Sequence, residues 1–162
     1  MSDILPPKDF PDAKFHEEVG RLCSAWAFLE TMLQHTIWDM LKIDNAMGRY
    51  VTYRLDAKLR WQMLCELAGD KDAKLHVVLK ANNPTMEKLA ANRNLIVHGV
   101  ITWDPAQEAV CWLIFKGSKA GKPQPATTQF VLETREALQK LAADVRPSMR
   151  KIFPGPPPEP AA

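Results

Sequence analysis

From Phe15 to Met40 an apolar residue recurs every three or four positions: Phe15, Val19, Leu22, Trp26, Leu29, Leu33, Ile37 and Met40. That period places them on one face of an α-helix. The run predicts a helix of about 30 residues, about 45 Å long. A stripe that long needs cover along its whole length, which points either to a bundle of matching helices or to a dimer surface. Pro11 suits the first helical position, where its missing N–H costs nothing.

Downstream, Ile43-Asp44-Asn45 reads as a break, and Met47, Tyr50 and Val51 as a short helix. Leu55, Leu59, Trp61, Leu64 and Leu67 predict another helix, with Asp56 as a candidate N-cap. Gly69-Asp70-Lys71-Asp72 reads as a turn, and 73–81 as a short helical segment. Asn83-Pro84 has the form of a cap followed by a first-turn proline, so it predicts the start of a further helix through Met86, Leu89, Ile96 and Val97, ended by Gly99.

The period then changes to two. Val100-Ile101-Thr102-Trp103 and Val110-Cys111-Trp112-Leu113-Ile114-Phe115 are β-branched and aromatic, with Asp104-Pro105 as a turn. Residues 116–125 read as a polar, lysine-bearing loop, and Thr127-Thr128-Gln129-Phe130-Val131 as a candidate third strand. A last helix carries Leu138, Leu141, Val145, Met149 and Ile152, and Pro147 either kinks it or ends its regular part. The expected fold is mainly α: a bundle of four to five helices with a small antiparallel β-hairpin or three-stranded insertion before the last helix. The expected organisation is an extended arm over 1–10, a single helical domain over 11–153 and a Pro-rich, solvated tail over 154–162.

Hydrophobic residues at 46% and charged residues at 25% are ordinary globular usage, which argues against disorder. A net charge of +2 permits an anionic partner without demanding one, so any nucleic-acid argument has to come from clustering. Cys23, Cys65 and Cys111 are far apart and lack zinc spacing, and each is expected to be a small buried residue of a reduced compartment. The first residues lack the pattern of a signal peptide, and no stretch approaches the ~18 apolar residues of a membrane span. The expectation is a cytoplasmic protein with no membrane association, no metal and no cofactor.

The segment with most chemical content is Arg93-Asn94-Leu95-Ile96-Val97-His98. On a helix, Arg93 falls among Met86, Leu89, Ile96 and Val97, and a guanidinium inside an apolar stripe must be paired or line a cavity. Asn94 and His98 are neighbours one turn apart. His98 lies in the last turn, where the helix dipole favours an imidazolium. Such a set can handle a phosphodiester, with His98 moving protons and Arg93 holding phosphate charge. A structural reading stands beside it: Arg93 as a snorkelling or salt-bridged arginine, and His98 as a C-terminal cap. Five helical residues turn through about 500°, so Arg93 and His98 point about 140° apart and lie about 7.5 Å apart along the axis. One helix then makes a loose site, and two motif helices across a two-fold axis would close it.

The segment resembles the R-[polar]-x-x-x-H motif of the HEPN superfamily (higher eukaryotes and prokaryotes nucleotide-binding domain). Gly99 after the histidine is also common among small bacterial members. The order of a long first helix bearing Trp26-Ala27-Phe28-Leu29-Glu30, a motif helix, a β-hairpin and a final helix is similar over roughly residues 12–152. The resemblance implies a HEPN-like domain and a homodimeric, metal-independent endoribonuclease, often a toxin or phage-defence effector with a cognate antitoxin. It carries Arg93, Asn94 and His98 over as catalytic residues that use the RNA 2′-hydroxyl as nucleophile. The alternative is a non-catalytic member that binds RNA, a nucleotide or a protein. A subgroup of toxins carries a modified tyrosine two residues after the histidine; here that residue is Val100.

Arg49, Tyr50, Tyr53, Arg54, Lys58 and Arg60 interleave cations with aromatic rings. They can form an RNA-binding surface, chiefly Arg49, Tyr53, Arg54 and Lys58. The plainer reading is a solvated helix face with buried tyrosines. Glu30 lies partly within the first apolar stripe and is either the partner of Arg93 or a carboxylate at the surface edge.

Overall fold

A computed structural model describes residues 11–149, apart from 105, 114, 117 and 118. The arm over 1–10, the tail over 154–162 and Ile152 lie outside the described residues. The chain is mainly helical, with five α-helices and a small antiparallel sheet before the last of them: α1 (Ala13–Leu41), α2 (Asn45–Thr52), α3 (Ala57–Lys71), α4 (Ala73–His98), β1 (Val100–Asp104), β2 (Ala109–Leu113), β3 (Phe115–Lys116), β4 (Lys119–Ala120), β5 (Gln124–Pro125) and α5 (Thr128–Val145), closed by a 3₁₀ turn over Arg146–Met149. Two compact units divide it. One takes the chain up to Trp26 with Lys88–Gln139, and the other takes Ala27–Glu87 with the residues from Lys140 on.

The caps account for the helix boundaries. Pro11 precedes α1 rather than opening it: Asp12 Oδ1 accepts the Phe15 N–H at 2.7 Å, and the helix starts one residue after that cap. α1 ends at Leu41, where Lys42 adopts a left-handed φ of 56° and the Ile43 N–H returns to the Trp38 carbonyl at 3.1 Å. Asp44 and Asp56 cap α2 and α3 through the Met47 and Leu59 N–H groups, both at 2.8 Å. The expected turn at 69–72 shrinks to one residue. α3 runs through Lys71, and Asp72 both ends it and caps α4 by accepting the Leu75 N–H at 3.0 Å.

α4 does not start at Pro84. It is one helix over Ala73–His98 with Pro84 inside it. Asn83 does not cap; its Oδ1 accepts the Trp61 Nε1–H at 2.5 Å. Leu79 and Met86 are buried on either side of the proline. Burying two such side chains contributes about 3–6 kcal/mol, enough to offset the ~3 kcal/mol cost of an interior proline.

In the first unit, β1 and β2 pair antiparallel with Val100 opposite Leu113 and Asp104 opposite Ala109. The third strand of that sheet is Gln124–Pro125, within the expected loop, and it pairs with Trp112 and Cys111. Its proline is tolerated because β5 lies at the sheet edge. The expected strand at 127–131 is instead the start of α5. Thr127 Oγ1 accepts the Phe130 N–H at 3.1 Å, so Thr127 caps a helix. Trp112 is fully buried between Phe15 and Phe130, with ring centroids 5.9 and 5.6 Å away. Glu18 is buried in the α1 stripe and held by Arg135 Nε at 2.8 Å. Pro147 falls in the 3₁₀ turn, so it ends the regular part of α5.

In the second unit the core gathers around Leu33, Ile37, Trp61, Leu64 and Leu79. Trp38 is held by its Nε1–H, which donates to Thr52 Oγ1 at 3.2 Å.

Candidate active site

The last two turns of α4 carry the motif. Leu89 and Ile96 are buried, which fixes the rotation of the helix in the first unit. Arg93 is thereby half-buried, while Asn94 and His98 are exposed. The guanidinium lies over the Trp26 ring, 5.9 Å from its centroid. That contact explains how a cation is kept within an apolar stripe: the ring face offers negative charge density while apolar surface stays covered.

From that seat Arg93 reaches both other motif residues. Its Nη1 donates to Asn94 Oδ1 at 3.2 Å and lies 3.0 Å from His98 Nε2. The length of the arginine bridges the separation of the two residues along the helix. A guanidinium only donates hydrogen bonds, so this contact makes Nε2 the acceptor and puts the imidazole proton on Nδ1. Arg93 Nε is buried with no acceptor among the described residues.

Gly99 closes the site from below. Its N–H bonds to the Leu95 carbonyl at 2.9 Å. An added Cβ would stand 2.3 Å from that oxygen and 3.1 Å from Trp112 Cδ1. The glycine is needed here for close approach, because Trp112 fills the space under the helix end.

Glu30 lies in the second unit, where its carboxylate is 3.9 Å from Arg60 Nη1. Arg60 also donates to the Thr52 carbonyl at 3.3 Å and is largely buried, so it does not belong to an exposed cationic face. Lys58 is turned to Glu87 at 3.5 Å. Arg49, Tyr53 and Arg54 converge with Tyr50 around one concave surface. The tyrosines are not buried: Tyr50 is 85% and Tyr53 81% exposed.

Cys65 and Cys111 are buried, and burial raises both thiols above their ordinary range, with Asp104 adding to the effect at Cys111. Cys23 is exposed, contrary to expectation, because α1 turns it away from the Leu22 and Trp26 face. Trp26 supports Arg93, a role not expected from the sequence. Its signal was its place in the stripe, which gives burial but not a partner. No group of three His, Cys, Asp or Glu side chains suited to a metal converges among the described residues. No helix among them is long and apolar enough to cross a membrane.

No protein-family model matches the chain, and no curated protein or solved structure matches it.

Proposed function

We propose that this protein is a HEPN-like, metal-independent endoribonuclease acting as a homodimer. The observation that carries the reading is the convergence of Arg93 on Asn94 and His98 at an accessible helix end, with Nη1 3.0 Å from Nε2. His98 Nε2 is a lone-pair acceptor suited to take the proton of an RNA 2′-hydroxyl once Arg93 turns to the phosphate. The 2′-oxygen bonds to phosphorus and the 5′-oxygen leaves. It takes a proton from an imidazolium, for which the matching histidine of a second copy is the candidate. The products end in a 2′,3′-cyclic phosphate and a 5′-hydroxyl. The Arg93 guanidinium, once turned from His98, supplies donors for the phosphate oxygens.

Single-stranded RNA incubated with the protein in excess EDTA tests this. Cleavage to cyclic-phosphate ends is expected, with single-stranded DNA left whole. His98→Ala should lower the rate by about 10²–10⁴-fold. Metal-dependent cleavage, or full activity in that variant, refutes the mechanism. Light scattering that finds a monomer throughout a concentration series refutes the dimer. A toxin or phage-defence role in the cytoplasm, opposed by an antitoxin, follows from the same reading and is tested by co-expression with the neighbouring gene.

A further inference from the structure

α2 is fastened to its unit by one face. Gly48 and Thr52 are buried on that face. A Cβ on Gly48 would stand 2.4 Å from Trp38 Cδ2, and Thr52 Oγ1 accepts from Trp38 Nε1 at 3.2 Å. With that side held inward, helical geometry turns Arg49, Tyr50 and Tyr53 outward. They line a concave surface of about 660 Å³ with Arg54, Ala46 and Val51. The phenol and guanidinium groups on this surface have no side-chain partner among the described residues. The flanking carboxylates do not neutralise the arginines, because Asp44 and Asp56 are turned onto the N-termini of α2 and α3.

Two tyrosine rings standing in water are an unusual use of apolar area, and with unpaired guanidinium groups they mark a surface that receives something. We propose that this surface grips single-stranded RNA: Tyr50 and Tyr53 stack unpaired bases while Arg49 and Arg54 meet the phosphates. The choice of RNA as the occupant rests on the ribonuclease reading above. The chemistry fits a single strand because every base has a face to stack and its backbone is anionic. Protein interfaces also use exposed tyrosine and arginine, so the oligomeric state read below is the arm of the test that separates that occupant.

The test uses the full chain and a 2′-O-methyl oligouridylate of about 12 nucleotides, within the usual size of a single-strand site. The blocked 2′-oxygen prevents cleavage, so only binding is read. Tyr50→Ala with Tyr53→Ala should weaken binding about tenfold or more, while Tyr50→Phe with Tyr53→Phe should bind like the native chain, since stacking needs the ring and not the hydroxyl. Arg49→Gln with Arg54→Gln should flatten the slope of log affinity against log salt by about 1.4. A 5-iodouracil in the strand should photocrosslink to the tryptic peptide over 50–54. Native affinity in the double alanine variant, or an adduct confined elsewhere, overturns the proposal. A changed oligomeric state in that variant with RNA affinity intact overturns it too, in favour of a protein interface. The two readings fail separately. Unmodified RNA that stays whole while the blocked strand is held by the tyrosines overturns the ribonuclease alone; cleavage with unchanged KM in the double alanine variant overturns this surface alone.

Discussion

Arg93 Nη1 lies 3.0 Å from His98 Nε2, five residues further along the same helix. Two side chains that leave a helix about 140° apart meet because one is long and the other stands at the helix end. The contact presents Nε2 to a hydrogen-bond donor and leaves the guanidinium over the Trp26 ring.

Arg93→Ala should therefore abolish RNA cleavage while leaving the fold nearly as stable. The cation–ring contact contributes about 0.5–2 kcal/mol, and losing it should lower Tm by only a few degrees, at about 2–4 °C per kcal/mol for a chain near this size. Melting the variant beside a cleavage assay separates the roles. A loss corresponding to about 3–5 kcal/mol would show instead that Arg93 anchors a buried ion pair.

Pro84→Ala should raise stability by about 1–3 kcal/mol, because it returns an N–H to the interior of α4 and removes the ring from the preceding turn. Urea unfolding measures it. Were Pro84 at the start of a helix, the same change would be neutral or mildly destabilising. Asn83→Ala should do the opposite, at a cost of about 1–3 kcal/mol, by leaving the buried Trp61 N–H without its acceptor.

Gly99→Ala places a methyl group 2.3 Å from the Leu95 carbonyl oxygen and 3.1 Å from the Trp112 ring. Either the helix end or the indole must move. A loss of about 1–3 kcal/mol is expected, with a fall in cleavage as His98 shifts. Near-UV circular dichroism should report the displaced tryptophan. An unchanged spectrum and melt would contradict this packing.

The thiols should react in two classes. At pH 8 Cys23 should be alkylated quickly, whereas Cys65 and Cys111 should wait for unfolding, since they are buried and their thiolates are disfavoured. Mass-resolved iodoacetamide labelling counts them. The same shift carries a stability sign. Both thiols are raised above the reference value of 9.0, so their contribution is intact below pH 9.0 and declines as pH rises beyond it, where the unfolded chain ionises first. The unfolding midpoint should fall less steeply above that pH when both cysteines are replaced by alanine.

Local chemistry alone determined much of this architecture. The stripe from Phe15 to Ile37, the Asp44 and Asp56 caps and the alternation over 100–113 each act within a turn or a strand, so they were readable in order along the chain. The motif trio was legible for the same reason, since Arg93, Asn94 and His98 share one helix. Tertiary structure decided what depends on distant burial. Leu79, Met86 and the Trp61–Asn83 bond carry α4 through a proline that reads locally as a start. The face of α2 that meets Trp38 leaves Tyr50 and Tyr53 in water, while burial takes Arg60 out of the cationic surface. A short helix or a lone arginine carries no local mark of its rotation or partner; those follow from which neighbour buries the greater apolar area, a quantity set only when the chain has folded.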